Sequence, residues 1–195
     1  MPPKVFHSDP RIEGGRSRNK NPAIGCPSAR LQRLIRAIAN LSARADLSAL
    51  KQCVSASELT IDDVQPFVRF DTGCYQRVTL ATGGDNPGFE VLVLGWRPGQ
   101  FSPIHNHRGS GCCVKILQGI GLETTYAPHG DDGSFITQST WRETGDVFAG
   151  EDDDTHSLGN AASAEIGLVS LHVYRPRLTR MELFAIRRGR LRRGN

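Results

Sequence analysis

The chain has 195 residues, enough for one domain with a sizeable core and too few for two comfortable ones. Hydrophobic residues make up 38% and charged residues 23%, with 21 Gly and 11 Pro, which argues against a disordered chain or a membrane protein and for a soluble, turn-rich fold. The formal charge of +4 sits at the ends: residues 1–20 hold five Lys/Arg against two acids and 187–195 hold five Arg and no acid, leaving 14 basic and 18 acidic residues between 21 and 186.

Residues 1–25 mix Pro, Gly, Ser and charges without apolar periodicity and read as a flexible basic arm. From Ser28 onward Leu31, Leu34, Ile35, Ile38 and Leu41 recur at helical spacing and form one apolar stripe. Asp46 opens a second short helix through Leu50 and Val54, and Thr60 with Asp62 and Asp63 marks the start of a third, limited by Pro66. These helices, within 26–68, are expected to pack on the outside of a strand-rich region. After residue 73 the period becomes that of strands, in the runs 75–80, 89–96, 112–117, 121–126 and 166–174, with turn clusters at 83–88 and 129–133. Short strands at this spacing predict a mainly β barrel or jelly roll over 73–186, so that 26–186 forms one domain and 187–195 a basic tail.

Such tails are usually solvated, so no nucleic-acid partner is expected. No apolar run reaches a membrane-spanning length and the first residues lack an apolar signal core, so no membrane is expected and a cytoplasmic location is the default. The five cysteines (Cys26, Cys53, Cys74, Cys112, Cys113) are odd in number and contain no CxxC pair, so they read as thiols rather than a disulfide framework or a zinc knuckle. His7 and His129 carry no assigned role.

His105 and His107, at i and i+2, leave the same face of a strand and can share one metal. The stretch Gly99-x5-His105-x-His107-x4-Cys112-x6-Gly119 resembles the first motif of the cupin superfamily, and Gly145-x10-His156-x3-Asn160 resembles the second. The resemblance implies a double-stranded β-helix with N-terminal helices and a third metal ligand at His156. Glu151 and Asp153 replace the proline and second glycine of the second motif. Many cupins carry a glutamate where this chain has Cys112. Three neutral imidazoles then leave about three coordination positions open, as in non-haem iron oxygenases, whereas a closed structural zinc needs a fourth protein ligand.

Tyr75-x-Arg77, Trp96, Ser102-Pro-Ile-His-Asn-His107, Cys112, His156 and Ser170-Leu-His-Val-Tyr174 together resemble the cysteine dioxygenases, the thiol-oxidising branch of the cupins. The resemblance runs from about 75 to 176. It implies Fe(II) held by His105, His107 and His156, and addition of both atoms of O2 to the sulfur of L-cysteine to give cysteine sulfinic acid, a step in cysteine catabolism. It implies that Arg77 and Tyr75 hold the substrate carboxylate. Ser170, His172, Tyr174 and Cys112 then serve the chemistry, and a Cys112–Tyr174 thioether bond can form. Trp96 is expected in the core, and a monomer is expected. Arg175-Pro176-Arg177 departs from the family's usual Ser-Pro-Pro at the pocket wall. The readings left open are a dioxygenase of 3-mercaptopropionate or another small thiol, and a non-catalytic metal-binding cupin.

Overall fold

The computed structural model describes residues 27–194 apart from 43, 85–87, 130–132 and 152. The arm at 1–25, with His7, and Cys26 lie outside the described residues. Two helices come first, α1 (Ala29–Ala39) and α2 (Leu47–Ser55). Each begins on a side-chain cap. Ser28 Oγ accepts from the Leu31 amide at 3.1 Å and Asp46 Oδ1 from the Ala49 amide at 2.9 Å, satisfying amides that the first helical turn leaves unpaired. The expected third helix is instead two 3-10 turns, Ile61–Asp63 and Gln65–Phe67, because Pro66 cannot supply the amide that a continuing helix needs.

Eleven strands come next among the described residues: β1 (Gln76–Gly83), β2 (Phe89–Trp96), β3 (Ile104–Asn106), β4 (Gly111–Gln118), β5 (Gly121–Pro128), β6 (Phe135–Arg142), β7 (Val147–Gly150), β8 (His156–Asn160), β9 (Leu168–Arg175), β10 (Glu182–Arg187) and β11 (Arg190–Arg193). They form two antiparallel sheets, ordered β1-β2-β9-β4-β7 and β11-β10-β3-β8-β5-β6, which face each other as a cupin-type double-stranded β-helix. No described helix is long and apolar enough to cross a membrane.

The strands β2, β9 and β4 of the five-stranded sheet are buried on both faces, which explains why they read as nearly unbroken apolar runs. Val91, Val93, Val169, Leu171 and Val173 face the helices, packing with Leu31, Leu34, Ile38, Leu50 and Val54. Leu92, Leu94, Trp96, Leu168 and Tyr174 face the barrel interior with Ile116 and Leu158. Cys112 and Cys113 split the same way, Cys112 inward and Cys113 toward the helices. With the odd-numbered residues of β9 against the helices, strand period puts Ser170, His172 and Tyr174 inside the barrel.

Two glycines fix close approaches. Gly119 turns β4 into β5 at φ +80°, a conformation that residues other than glycine strain to adopt. At Gly95 an added Cβ would collide with the Arg69 carbonyl oxygen, where the chain entering β1 crosses β2. Gly95→Ala should therefore lower stability by about 1–3 kcal/mol, read as a fall in Tm. An unshifted Tm would show that this crossing is looser than described.

The stretch expected as a basic tail, 187–195, is structured as far as it is described. Arg188 and Gly189 take φ +51° and +71°, the positive values of a two-residue hairpin turn, and β11 pairs back on β10. Arg193 closes on Glu182 at 3.1 Å, and Glu182 also meets Asn106 and Arg108, so the hairpin is tied to β3.

Candidate metal centre and cavity

His105 lies on β3 and His107 one residue beyond it, so both rings leave the same face. His156 opens β8 and pairs directly with His105. The three rings, all buried, lie with centroids 4.8–5.1 Å apart, and one ligand atom from each falls within 4.8 Å of the others. His105 Nε2 is 3.1 Å from His107 Nε2.

The outer nitrogens are held. His105 Nδ1 meets the Pro103 carbonyl at 2.9 Å and His156 Nδ1 meets Glu123 Oε1 at 3.0 Å, so both rings donate outward from Nδ1 and turn Nε2 inward. Burial and the neighbouring histidines lower the pKa of His105 to about 3 and of His107 to about 2. Neutral imidazoles whose lone pairs converge in a dry site lack a hydrogen-bond solution: if His107 donates to His105, its own Nδ1 is left buried and unpaired. A shared cation satisfies all three, so the donor set fits a metal.

Protons and stability are linked here. The unfolded chain binds protons at these histidines from about pH 6.5 downward, the folded chain only near 3 and 2. Acid therefore favours unfolding. The metal-free protein should lose stability below about pH 6.5 by about 1.4 kcal/mol per pH unit for each such ring. Thermal melts from pH 7 to 4 check this; a flat Tm would show that the rings are not held neutral.

The opposite wall comes from the other sheet. The registers set Arg77, Leu94 and Ser170 in one cross-strand row, and Tyr174 beside Cys112 in another. Trp96 Nε1–H donates to Ser170 Oγ at 2.9 Å, and Ser170 Oγ lies 2.9 Å from His172 Nε2. His172 Nδ1 is buried without a partner among the described residues, and burial holds His172 well below its usual pKa. His172 and Tyr174 meet as stacked rings 6.2 Å apart rather than through a hydrogen bond. The Tyr174 hydroxyl instead bonds the Cys112 thiol, and burial drives the pKa of both upward. Tyr75 stacks on Trp96 at 4.1 Å, beside Arg77. All of these but Cys112 and Ser170, together with the three metal-facing histidines, line one cavity of about 20 Å³ whose remaining wall includes Ser102, Leu158 and Met181.

Known proteins show the family to which this fold and sequence belong. The family model of cysteine dioxygenase type I matches residues 22–187. The chain belongs to this family. It is 29% identical to cysteine dioxygenase type 1 of Bos taurus over 160 residues, covering 73% of this chain and 78% of the relative. Against the Rattus norvegicus enzyme of the same name it is 32% identical over 126 residues, 63% of this chain and 62% of that one. A solved double-stranded β-helix protein of Klebsiella pneumoniae is similar at 22% identity and a TM-score of 0.48, over 62% of this chain and 87% of that one. As a cysteine dioxygenase-family cupin, the protein is an oxidoreductase of the non-haem dioxygenase type with a histidine triad suited to a metal.

Several features of this family member escape its sequence pattern. Trp96 is in the core, as expected, but it also lines the cavity and donates to Ser170. The Glu123 carboxylate behind His156 was not legible, and neither was Arg142, whose Nε and Nη2 donate to Glu123 Oε2 at 2.9 and 2.6 Å. Burial opposes the charge on Glu123, but the His156 and Arg142 hydrogen bonds outweigh it and hold its carboxyl below the usual range. Asn160, the last residue of the second cupin motif, donates to the Trp96 and Ile166 carbonyls and so serves the fold. Just after Tyr174, where the sequence departs from the family pattern, the Arg175–Pro176 bond is cis, and Arg175 donates to the Leu41 and Ser42 carbonyls below α1. Cys53 is half-buried, Cys74 exposed beside Tyr75, and His129 exposed.

Proposed function

We propose that this chain is an iron-dependent dioxygenase that adds both atoms of O2 to the sulfur of L-cysteine, giving cysteine sulfinic acid. Both oxygens go to sulfur, so the thiol is the only reductant the balance needs. The observation carrying this reading is an opposition across one cavity. Three buried imidazoles line one wall, and on the other stands Arg77, with no carboxylate partner among the described residues. Fe(II) held by His105, His107 and His156 supplies affinity for a thiolate and reactivity toward O2.

The chain's own groups position and protect. The Arg77 fork receives the substrate carboxylate in a charge-assisted, bidentate contact, and the Tyr75 hydroxyl adds a hydrogen bond from a ring held by its stack on Trp96. Ser170 accepts from Trp96, which frees its own hydroxyl hydrogen for His172 Nε2. His172 then keeps its proton on Nδ1, an unpaired buried donor on a cavity-lining residue. Tyr174 retains its phenolic proton, with Cys112 beside it in position for a thioether. The small free volume favours small thiols. In this reading residues 26–186 are the catalytic unit, a cytoplasmic monomer that needs only its thiol and O2.

3-Mercaptopropionate keeps the carboxylate and lacks the amine, so it is the informative competitor. O2 uptake by iron-loaded protein should show a higher kcat/KM for L-cysteine than for 3-mercaptopropionate. A strong preference for the latter would overturn the substrate, and no uptake with any small thiol would leave a non-catalytic metal-binding cupin.

A further inference from the structure

We infer that Glu123, clamped by Arg142, is the positioning residue that sets the metal affinity of the histidine cluster through His156. The inference rests on the proposed metal-binding role of that cluster. On β5, Thr125 pairs with His156 and Glu123 with Leu158, so Glu123 lies two residues along the same inward face and its carboxylate reaches back to His156 Nδ1 at 3.0 Å. Glu123 is only 6% exposed. A buried charge at that depth is costly unless fully paired, and both of its oxygens are used. Oε1 takes the imidazole N–H, and Oε2 takes two N–H groups of Arg142.

Arg142 is itself fixed, with its guanidinium carbon 4.5 Å from the centre of the Phe148 ring. The contacts of the chain Arg142–Glu123–His156 hold His156 Nδ1 as a donor to Glu123 and leave Nε2 facing His105 and His107. Among the described residues, only His156 of the three histidines has a charged partner behind it. His105 meets a neutral carbonyl, and His107 Nδ1 has no partner. A carboxylate behind an imidazole raises the basicity of the other nitrogen and fixes its aim, so His156 is the strongest donor of the three.

The test measures metal affinity of the full chain by anaerobic Fe(II) titration against a chelator, with Co(II) absorption as a second readout. Glu123→Gln keeps size and an acceptor oxygen but loses the charge, and should weaken Fe(II) binding about 10–100-fold. The Co(II) spectrum should shift. Arg142→Gln should weaken binding by a smaller factor. Because Arg142 acts through Glu123, the double variant should bind no worse than Glu123→Gln alone, a non-additivity that a merely structural role would not produce. Wild-type affinity and spectrum in Glu123→Gln would overturn the inference. If that variant does not fold, unchanged affinity in Arg142→Gln would overturn it instead. Wild-type protein that binds no Fe(II) would instead sink the metal reading itself.

Discussion

Replacing His156 by alanine is expected to abolish metal binding and thiol-dependent O2 uptake together, to background in both assays. The two losses are coupled because the proposed centre has only three protein ligands. With two left, nothing among the neighbouring groups substitutes: Glu123 lies behind His156, and Cys112, driven upward in pKa by burial, is not a ready thiolate. The fold should survive. Removing the ring costs one buried hydrogen bond to Glu123, which keeps both Arg142 contacts, and it relieves the crowding of neutral lone pairs in the metal-free site. The net change in metal-free stability should stay within about 2 kcal/mol. Metal analysis, O2 uptake and a thermal melt on one preparation check this, and retained metal would place the third ligand elsewhere.

Arg77→Ala is expected to lower kcat/KM for L-cysteine about 10–10²-fold, most of it through a higher KM. A charge-assisted hydrogen-bonded pair is worth about 1.5–3 kcal/mol, and it is made at the carboxylate, away from the sulfur that reacts, so ground and transition states lose it alike. Arg77→Lys should fall between, keeping the charge and losing the planar fork. Arg77 is exposed on β1, an edge strand, so its removal should barely change Tm. Steady-state kinetics decide: an unchanged KM in Arg77→Ala removes it from the site.

The elements most legible in the sequence were those whose burial is uniform. The apolar runs of β2, β4 and β9 and the stripe of α1 stand out because whole faces are buried. β3, β7 and β8 are three to five residues long, and β3 and β8 are built from His, Asn, Ser and Gly as much as from apolar residues, so neither period nor propensity marks them. The arginine-rich end read as a tail because charge suggests solvation, yet an edge hairpin tolerates arginines on its open side. Within the site, His105 and His107 were legible from strand period and His156 from its motif. Glu123 and Arg142 were not. They lie 19 residues apart on neighbouring strands, and only the β5–β6 register reveals that they meet. The Ser170, His172 and Tyr174 face was ambiguous until the helices were seen to cover the odd-numbered residues of β9.

The claim at the centre is that three converging imidazoles hold iron for thiol oxidation. The most direct measurement is iron content together with L-cysteine-dependent O2 consumption on the same purified protein. The protein should carry about one iron per chain and consume one O2 per cysteine sulfinic acid formed, with uptake proportional to iron. Full iron loading without thiol-dependent uptake, or uptake independent of iron, would contradict it.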